Sequence, residues 1–244
     1  MNNKKNCIII FVKYPELGKV KSRLASDLDE KIVLDIYKNF VIDLLELMNK
    51  ESFIFKISFY PPETKSKFQS WLGNGFSYLP QQGNDLGEKM KNAFLATFTE
   101  GFEKVLIIGS DSPDLKDEIF SSAFQSLDEK DAVIGPTFDG GYYLIGFKKE
   151  KFLADIFTGI EWSTETVFQK TKAIFNRYNY HVNLLQKWQD VDTYTDLKAL
   201  YERNKNTDFN CSKTMDYLKN LFNNSPQGDS FQSPLRGIII TDKT

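Results

Sequence analysis

A chain of 244 residues, 41% hydrophobic and 26% charged, fits one large soluble domain, or one domain with an appendage, and is long enough to bury a sizeable core. With 31 basic and 33 acidic residues the net charge is −2, which excludes a global attraction to nucleic acid or an anionic membrane, so any phosphate site must be local. The 2 distant cysteines, Cys7 and Cys211, argue against a disulfide scaffold, and a single histidine, His181, argues against a His-rich metal centre or a Ser-His-Asp triad. No secretory or membrane-spanning segment is read, so a cytoplasmic location is expected.

Cys7–Val12 is an unbroken apolar run, as expected of a strand buried on both faces. A basic loop with Pro and Gly, Lys13–Lys21, follows, and then a helix over about 29–48 with apolar residues at helical spacing. Phe53–Tyr60 predicts a strand, Glu63–Leu72 a short helix, Phe76–Leu79 a strand, and a Gly-containing turn at 83–87 leads into a helix ending near Phe98. Lys104–Ile108 is another strand, Asp117–Leu127 a helix, and Asp131–Ile134 a strand. The turn Asp139-Gly140-Gly141 between apolar runs predicts a reversal and an antiparallel partner. Helices are expected at 149–157 and 164–178, a late strand at 180–184 and a closing helix at 193–203. The alternation gives βαβ units, an α/β fold with helices on both faces of a mixed, mostly parallel sheet. Residues 1–203 are taken as one α/β domain, and 204–244 as a linker, a short helix near 215–222 and a loosely ordered tail.

Five segments carry residues suited to chemistry. The Gly109-Ser110-Asp111-Ser112-Pro113 turn ends an apolar strand, where open α/β sheets bind ligands, so Asp111 can hold a divalent cation or simply cap the next helix. The loop after the first strand places Lys13, Lys19, Lys21 and Arg23 close together, with Pro15 stiffening it and Gly18 admitting a close backbone approach; phosphate binding is the expectation, without a Walker motif. Gly83, Asp85 and Gly87 form a second polar loop in which Asp85 can cap a helix or help cradle a ligand. Asp139, Gly140, Gly141 and Tyr142 are a tight turn or one wall of a crevice, with Trp162 a cover for substrate and Ser163 or Thr164 a helix cap. In Asp190-Val191-Asp192, alternation puts both carboxylates on one side; one of them, taken as Asp192, can join Asp111 in a metal site, unless the pair caps the final helix.

Five ordered motifs over about residues 7–200 resemble a family of nucleotide-diphospho-sugar transferases, some of them labelled arsenosugar-biosynthesis-type glycosyltransferases. They are Lys13-x-Pro15-x-x-Gly18-x-Val20-Lys21-x-Arg23-Leu24, Gly83-x-Asp85-Leu86-Gly87-Glu88, Gly109-x-Asp111-x-Pro113, Gly135-Pro136-x-x-Asp139-Gly140-Gly141-Tyr142-Tyr143 and Asp190-Val191-Asp192-Thr193. Ser22 stands where Thr is expected. The family resembles the GT-A fold, Rossmann-like, and is similar to small guanylyltransferases. The resemblance implies a nucleotide over the first loop and Asp111 as the metal-binding Asp, with Mg2+ or Mn2+ as cofactor.

The expected activity is glycosyl transfer from a nucleotide-sugar to a small-molecule acceptor. Lys13, Pro15, Gly18, Lys21, Arg23, Gly83, Asp85 and Gly87 would bind the nucleotide, with Lys21 and Arg23 stabilising the departing diphosphate. Asp139 would act near the acceptor, beside Gly140, Gly141, Tyr142 and Trp162, and Asp111 and Asp192 would hold the metal. Nucleotidyl transfer from a nucleoside triphosphate, with pyrophosphate released, is the second expectation, and a non-catalytic nucleotide-binding module the third. No nucleic-acid partner and no membrane span are expected.

Overall fold

The computed structural model describes residues 5–223. Seven strands form one sheet: β1 (Asn6–Lys13), β2 (Phe55–Tyr60), β3 (Tyr78–Pro80), β4 (Lys104–Ile108), β5 (Ala132–Pro136), β6 (Tyr142–Lys148) and β7 (Val182–Leu184). Their spatial order is β3-β2-β1-β4-β6-β5-β7. Only β6 runs antiparallel to its neighbours, as the Asp-Gly-Gly reversal predicts, and all other pairings are parallel. The mixed, mostly parallel sheet expected from the sequence is therefore the one observed.

The apolar runs are continuous because each strand is covered twice. Along β1, Ile8, Ile10 and Val12 enter one core while Cys7 and Ile9 enter the other. The first core is closed by α1 (Glu30–Lys50), α2 (Lys65–Leu72) and α4 (Asp117–Glu129), through residues such as Val41, Phe68 and Phe120. The second is closed by α3 (Leu86–Thr99) and α5 (Val167–Arg177), where Phe94, Phe147, Phe157 and Phe175 gather. Burial in this second core pushes the Cys7 thiol up to about 12, consistent with an inert core residue.

Two predicted helices differ. Residues 149–157 form two short 3-10 turns, Lys149–Lys151 and Ala154–Phe157, rather than a helix. Lys149 N bonds Glu103 O, and Phe152 and Phe157 turn into the aromatic core, so tertiary contacts override a weak local preference. The helix expected from 164 starts only at Val167. Ser163 lies in the left-handed region at φ 63°, and Thr166 is the N-cap, without a side-chain bond, so neither Ser163 nor Thr164 caps it.

A third core lies on the outer side of α1. There Val33, Ile36 and Phe40 meet α6 (Tyr194–Asn204) through Leu197 and Leu200, and α7 (Lys213–Asn223) through Met215 and Leu218. The short helix read near 215–222 is thus α7, packed onto the sheet domain through α1. Asp43 of α1, buried, accepts from Lys213 N and Thr214 N at 2.9 Å each, satisfying two of the free amides at the start of α7. The tail read over 225–244 lies outside the described residues. Among those described, no helix is long and apolar enough to cross a membrane.

Replacing Asp43 by Ala leaves those two donors unmatched in a buried place. Asp43→Ala is expected to lower stability by about 2 kcal/mol, read as a reduced urea midpoint.

Candidate active site

Strand order reverses at β1: the chain goes to β2 on one side and to β4 on the other. The crevice beyond the carboxyl ends of β1 and β4 is where such sheets take ligands. An open cleft of about 830 Å³ lies there. It is lined by the loops after β1 and β4, the β5–β6 turn, residues 162–165 and the segment before α6.

The loop after β1 is fixed by its own bonds. Tyr37 of α1 is a strut: its hydroxyl accepts from Lys13 N and donates to Lys13 O, both at 3.0 Å, and lies 3.3 Å from Ser110 Oγ after β4. Burial, the largest cause, pushes this phenol up to about 12, which keeps it neutral. Lys13 Nζ donates to Lys19 O at 2.6 Å and so braces the loop. Gly18, at φ 70°, makes the bend that a side chain would resist.

Lys21 occupies the centre. Its ammonium lies 2.5 Å from Asp111 Oδ1 and 3.0 Å from Asp192 Oδ1, while Arg23 Nη1 stands 3.7 Å from Asp192 Oδ2. Burial works against the Lys21 charge, but Asp111 and Asp192 more than offset it and raise the pKa. Asp190 faces the same cluster and accepts from Ser112 Oγ. Burial first, and then the Asp111 charge, push its carboxyl up to about 7. The alternation of Asp190 and Asp192 follows from an extended segment pinned by Val191 N to Asp111 O at 2.9 Å, with Val191 fully buried.

Neither carboxylate of that pair caps α6. Thr193 does, in a reciprocal box with Asp196, whose Oδ2 also accepts from Asp192 N at 3.2 Å. Asp111 caps nothing either, since α4 begins after Lys116. A buried clasp sits behind them. Asp114 receives Arg203 Nε and Nη2 at 2.7 and 2.9 Å, Trp188 Nε1 at 3.0 Å and Asn204 Nδ2 at 2.7 Å.

On the opposite wall, Asp139 Oδ1 accepts from Thr137 Oγ1 and from Gly141 N, so this carboxylate closes its own tight turn while lining the cleft. Phe168 N donates to Gly140 O at 2.9 Å, and a side chain at Gly140 would strike the backbone of Glu165. Tyr142 and Trp162 meet edge to face, with centroids 6.5 Å apart.

The cleft therefore gathers Lys13, Lys21, Arg23, Asp111, Asp139, Gly141, Tyr142, Trp162 and Asp192. Pro15, Gly18, Gly83, Asp85, Gly87 and Gly140 are not among its lining residues. Asp85 is the N-cap of α3, accepting from Glu88 N at 2.8 Å. Gly83 and Gly87 are required by packing: a Cβ would meet Glu88 at 2.6 Å in the first case and Trp162 at 2.7 Å in the second. Asp190 is a lining residue passed over in favour of Asp192, although the same alternation pointed to it. Ser112 and Asp114 carried no signal beyond the Gly-x-Asp-x-Pro turn.

The donors fit a hard divalent ion. Asp111 and Asp192 already bracket a cationic group through oxygen atoms, and magnesium usually takes only one or two protein carboxylates beside waters and phosphates. Among the described residues no group of three or more His, Cys, Asp or Glu gathers as an all-protein metal cage.

The family model described as "Uncharacterized protein conserved in bacteria (DUF2064)" matches residues 44–164. The crystal structure of a candidate nucleotide-diphospho-sugar transferase from Desulfovibrio desulfuricans G20 is 41% identical, with a TM-score of 0.87, and the match covers 90% of this chain and 96% of that one. The 4-diphosphocytidyl-2C-methyl-D-erythritol synthase of Anaerococcus prevotii is 14% identical, with a TM-score of 0.52, covering 80% and 95%. Rv0371c of Mycobacterium tuberculosis H37Rv, solved in complex with manganese, is 12% identical, with a TM-score of 0.51, covering 81% and 98%. These last two share the fold. No curated protein matches the sequence.

Asp196 links the α6 cap to the backbone of Asp192. Burial opposes its charge, but bonds from Thr193 and Gln189 outweigh that and hold its pKa below the usual range. The contribution is therefore complete above the unfolded value of about 3.9 and disappears as pH falls through the lower folded value. Asp196→Ala is expected to cost about 1 kcal/mol at pH 7, with the gap from wild type narrowing as the pH of urea unfolding is lowered below about 3.9.

Proposed function

The chain belongs to the family of candidate nucleotide-diphospho-sugar transferases represented by the Desulfovibrio protein, and from that premise we propose that it transfers a glycosyl group from a nucleotide-diphospho-sugar to a small-molecule acceptor. The observation that supports this most directly is the convergence of Lys21, Arg23, Asp111 and Asp192 at the β1/β4 switch point.

In this scheme the nucleoside diphosphate is the leaving group, and negative charge grows on its bridging oxygen as the glycosyl bond breaks. Lys21 and Arg23 provide preorganised positive charge on that side of the cleft, and the burial of Lys21 makes its contacts worth more than in water. Arg23, 68% exposed at its side chain, is free to form a planar fork with a phosphate. Asp111 and Asp192 would hold Mg2+ or Mn2+, which when bound neutralises the diphosphate. Asp139 faces the acceptor side: with Oδ1 committed to its turn, it acts as a fixed carboxylate that accepts a hydrogen bond from an acceptor hydroxyl and orients it. Tyr142 and Trp162, edge to face, supply an aromatic corner against which a sugar ring can pack.

A panel of nucleotide-sugars assayed with Mg2+ or Mn2+ tests this through release of nucleoside diphosphate. Asp111→Asn is expected to lower kcat/KM by about 100-fold or more, and Arg23→Ala to raise the donor KM by about tenfold with a smaller change in kcat. Pyrophosphate release from a nucleoside triphosphate, with no nucleotide-sugar turned over, would replace glycosyl transfer by nucleotidyl transfer.

A further inference from the structure

Lys21 is built differently from the other cationic side chains of its loop. Lys13 braces the backbone through Lys19 O, and Arg23 is mostly in solvent. The Lys21 side chain is only 4% exposed, and its ammonium is enclosed between Asp111 and Asp192. Its backbone sits in the left-handed region at φ 50°, a conformation that a residue with a side chain holds only where its surroundings demand it. That conformation directs a long cationic side chain inward to the same two carboxylates whose chemistry fits a divalent ion. An ammonium and a divalent cation compete for those oxygens, because like charges a few ångströms apart repel.

We propose that Lys21 is an exchangeable counter-ion: its ammonium competes with the divalent cation for Asp111 and Asp192, and leaves them for the diphosphate when that group occupies the cleft. Phosphate binding and metal loading are thereby coupled through one side chain. The metal alone binds weakly because it must displace Lys21. A diphosphate that takes over the ammonium leaves both carboxylates to the metal, and by linkage the metal favours the diphosphate equally. The exchange rests on the donor-site reading above for the identity of the anion, whereas the competition with the metal rests on the ion pairs alone.

The test uses the full chain without nucleotide, with Mn2+ and inorganic pyrophosphate as separate probes so that they do not chelate each other. Lys21→Met removes the charge, Lys21→Gln removes it but keeps a hydrogen-bond donor for the carboxylates, and Lys21→Arg keeps the charge. Mn2+ binding is followed by electron paramagnetic resonance and pyrophosphate binding by calorimetry, and circular dichroism identifies which variants are folded. Each folded neutral variant is expected to bind Mn2+ about tenfold more tightly than wild type and pyrophosphate about tenfold more weakly, with Lys21→Arg close to wild type for Mn2+. Unchanged or weakened Mn2+ binding in every folded neutral variant overturns the proposal, as does unweakened pyrophosphate binding. Nucleotide-sugar turnover by wild type is measured in parallel. Opposed shifts without turnover would uphold the exchange and remove glycosyl transfer, and turnover without opposed shifts would do the reverse.

Discussion

Enclosing the Lys21 ammonium between Asp111 and Asp192 requires three segments, distant in sequence, to be held in register. Five carboxylates, Asp111, Asp139, Glu165, Asp190 and Asp192, border the same cleft, and the ammonium offsets the mutual repulsion of the two that it touches. The raised pKa of Asp190 is the trace of that crowding: burial and the Asp111 charge disfavour its ionised form. The charge balance is therefore local, and a nearly neutral chain is compatible with a strongly polarised cleft.

The frame that holds these groups is apolar behind and polar in front. The parallel pairing of β1 with β4 sets their carboxyl ends side by side, and Tyr37 ties the two exits together through Lys13 and Ser110. The Val191–Asp111 backbone bond and the Asp114–Arg203 clasp then fix the segment before α6. Asp114 is buried with donors on both oxygens, which is the arrangement that makes a desolvated carboxylate tolerable. Its partners come from the end of α6 and from Trp188, so the closing helix belongs to the support of the cleft.

Strands were legible because burial on both faces writes itself as unbroken apolar runs, and the β1 and β4 runs located the crevice directly. The reversal into β6 was legible in Asp139-Gly140-Gly141, since few other residues make such a turn. Alternation also placed Asp190 and Asp192 together. What the sequence hid depended on distant partners. Gly83 and Gly87 look like residues making room for a ligand, yet the atoms they make room for are those of Glu88, Phe157 and Trp162. The segment 149–157 has a helix-like composition but is drawn into 3-10 turns by the aromatic core. Nothing in the local pattern around Asp43 shows that it caps α7, because the amides it satisfies are contributed by Lys213 and Thr214.

The union of Gly140 with the start of α5 has a mechanical corollary. Phe168 N holds Gly140 O, and Glu165 fills the space a side chain at Gly140 would need, so the turn bearing Asp139 and the stretch bearing Trp162 are fastened into a single plate. Mutations in the first turn of α5 would thus be transmitted to the turn that carries Asp139.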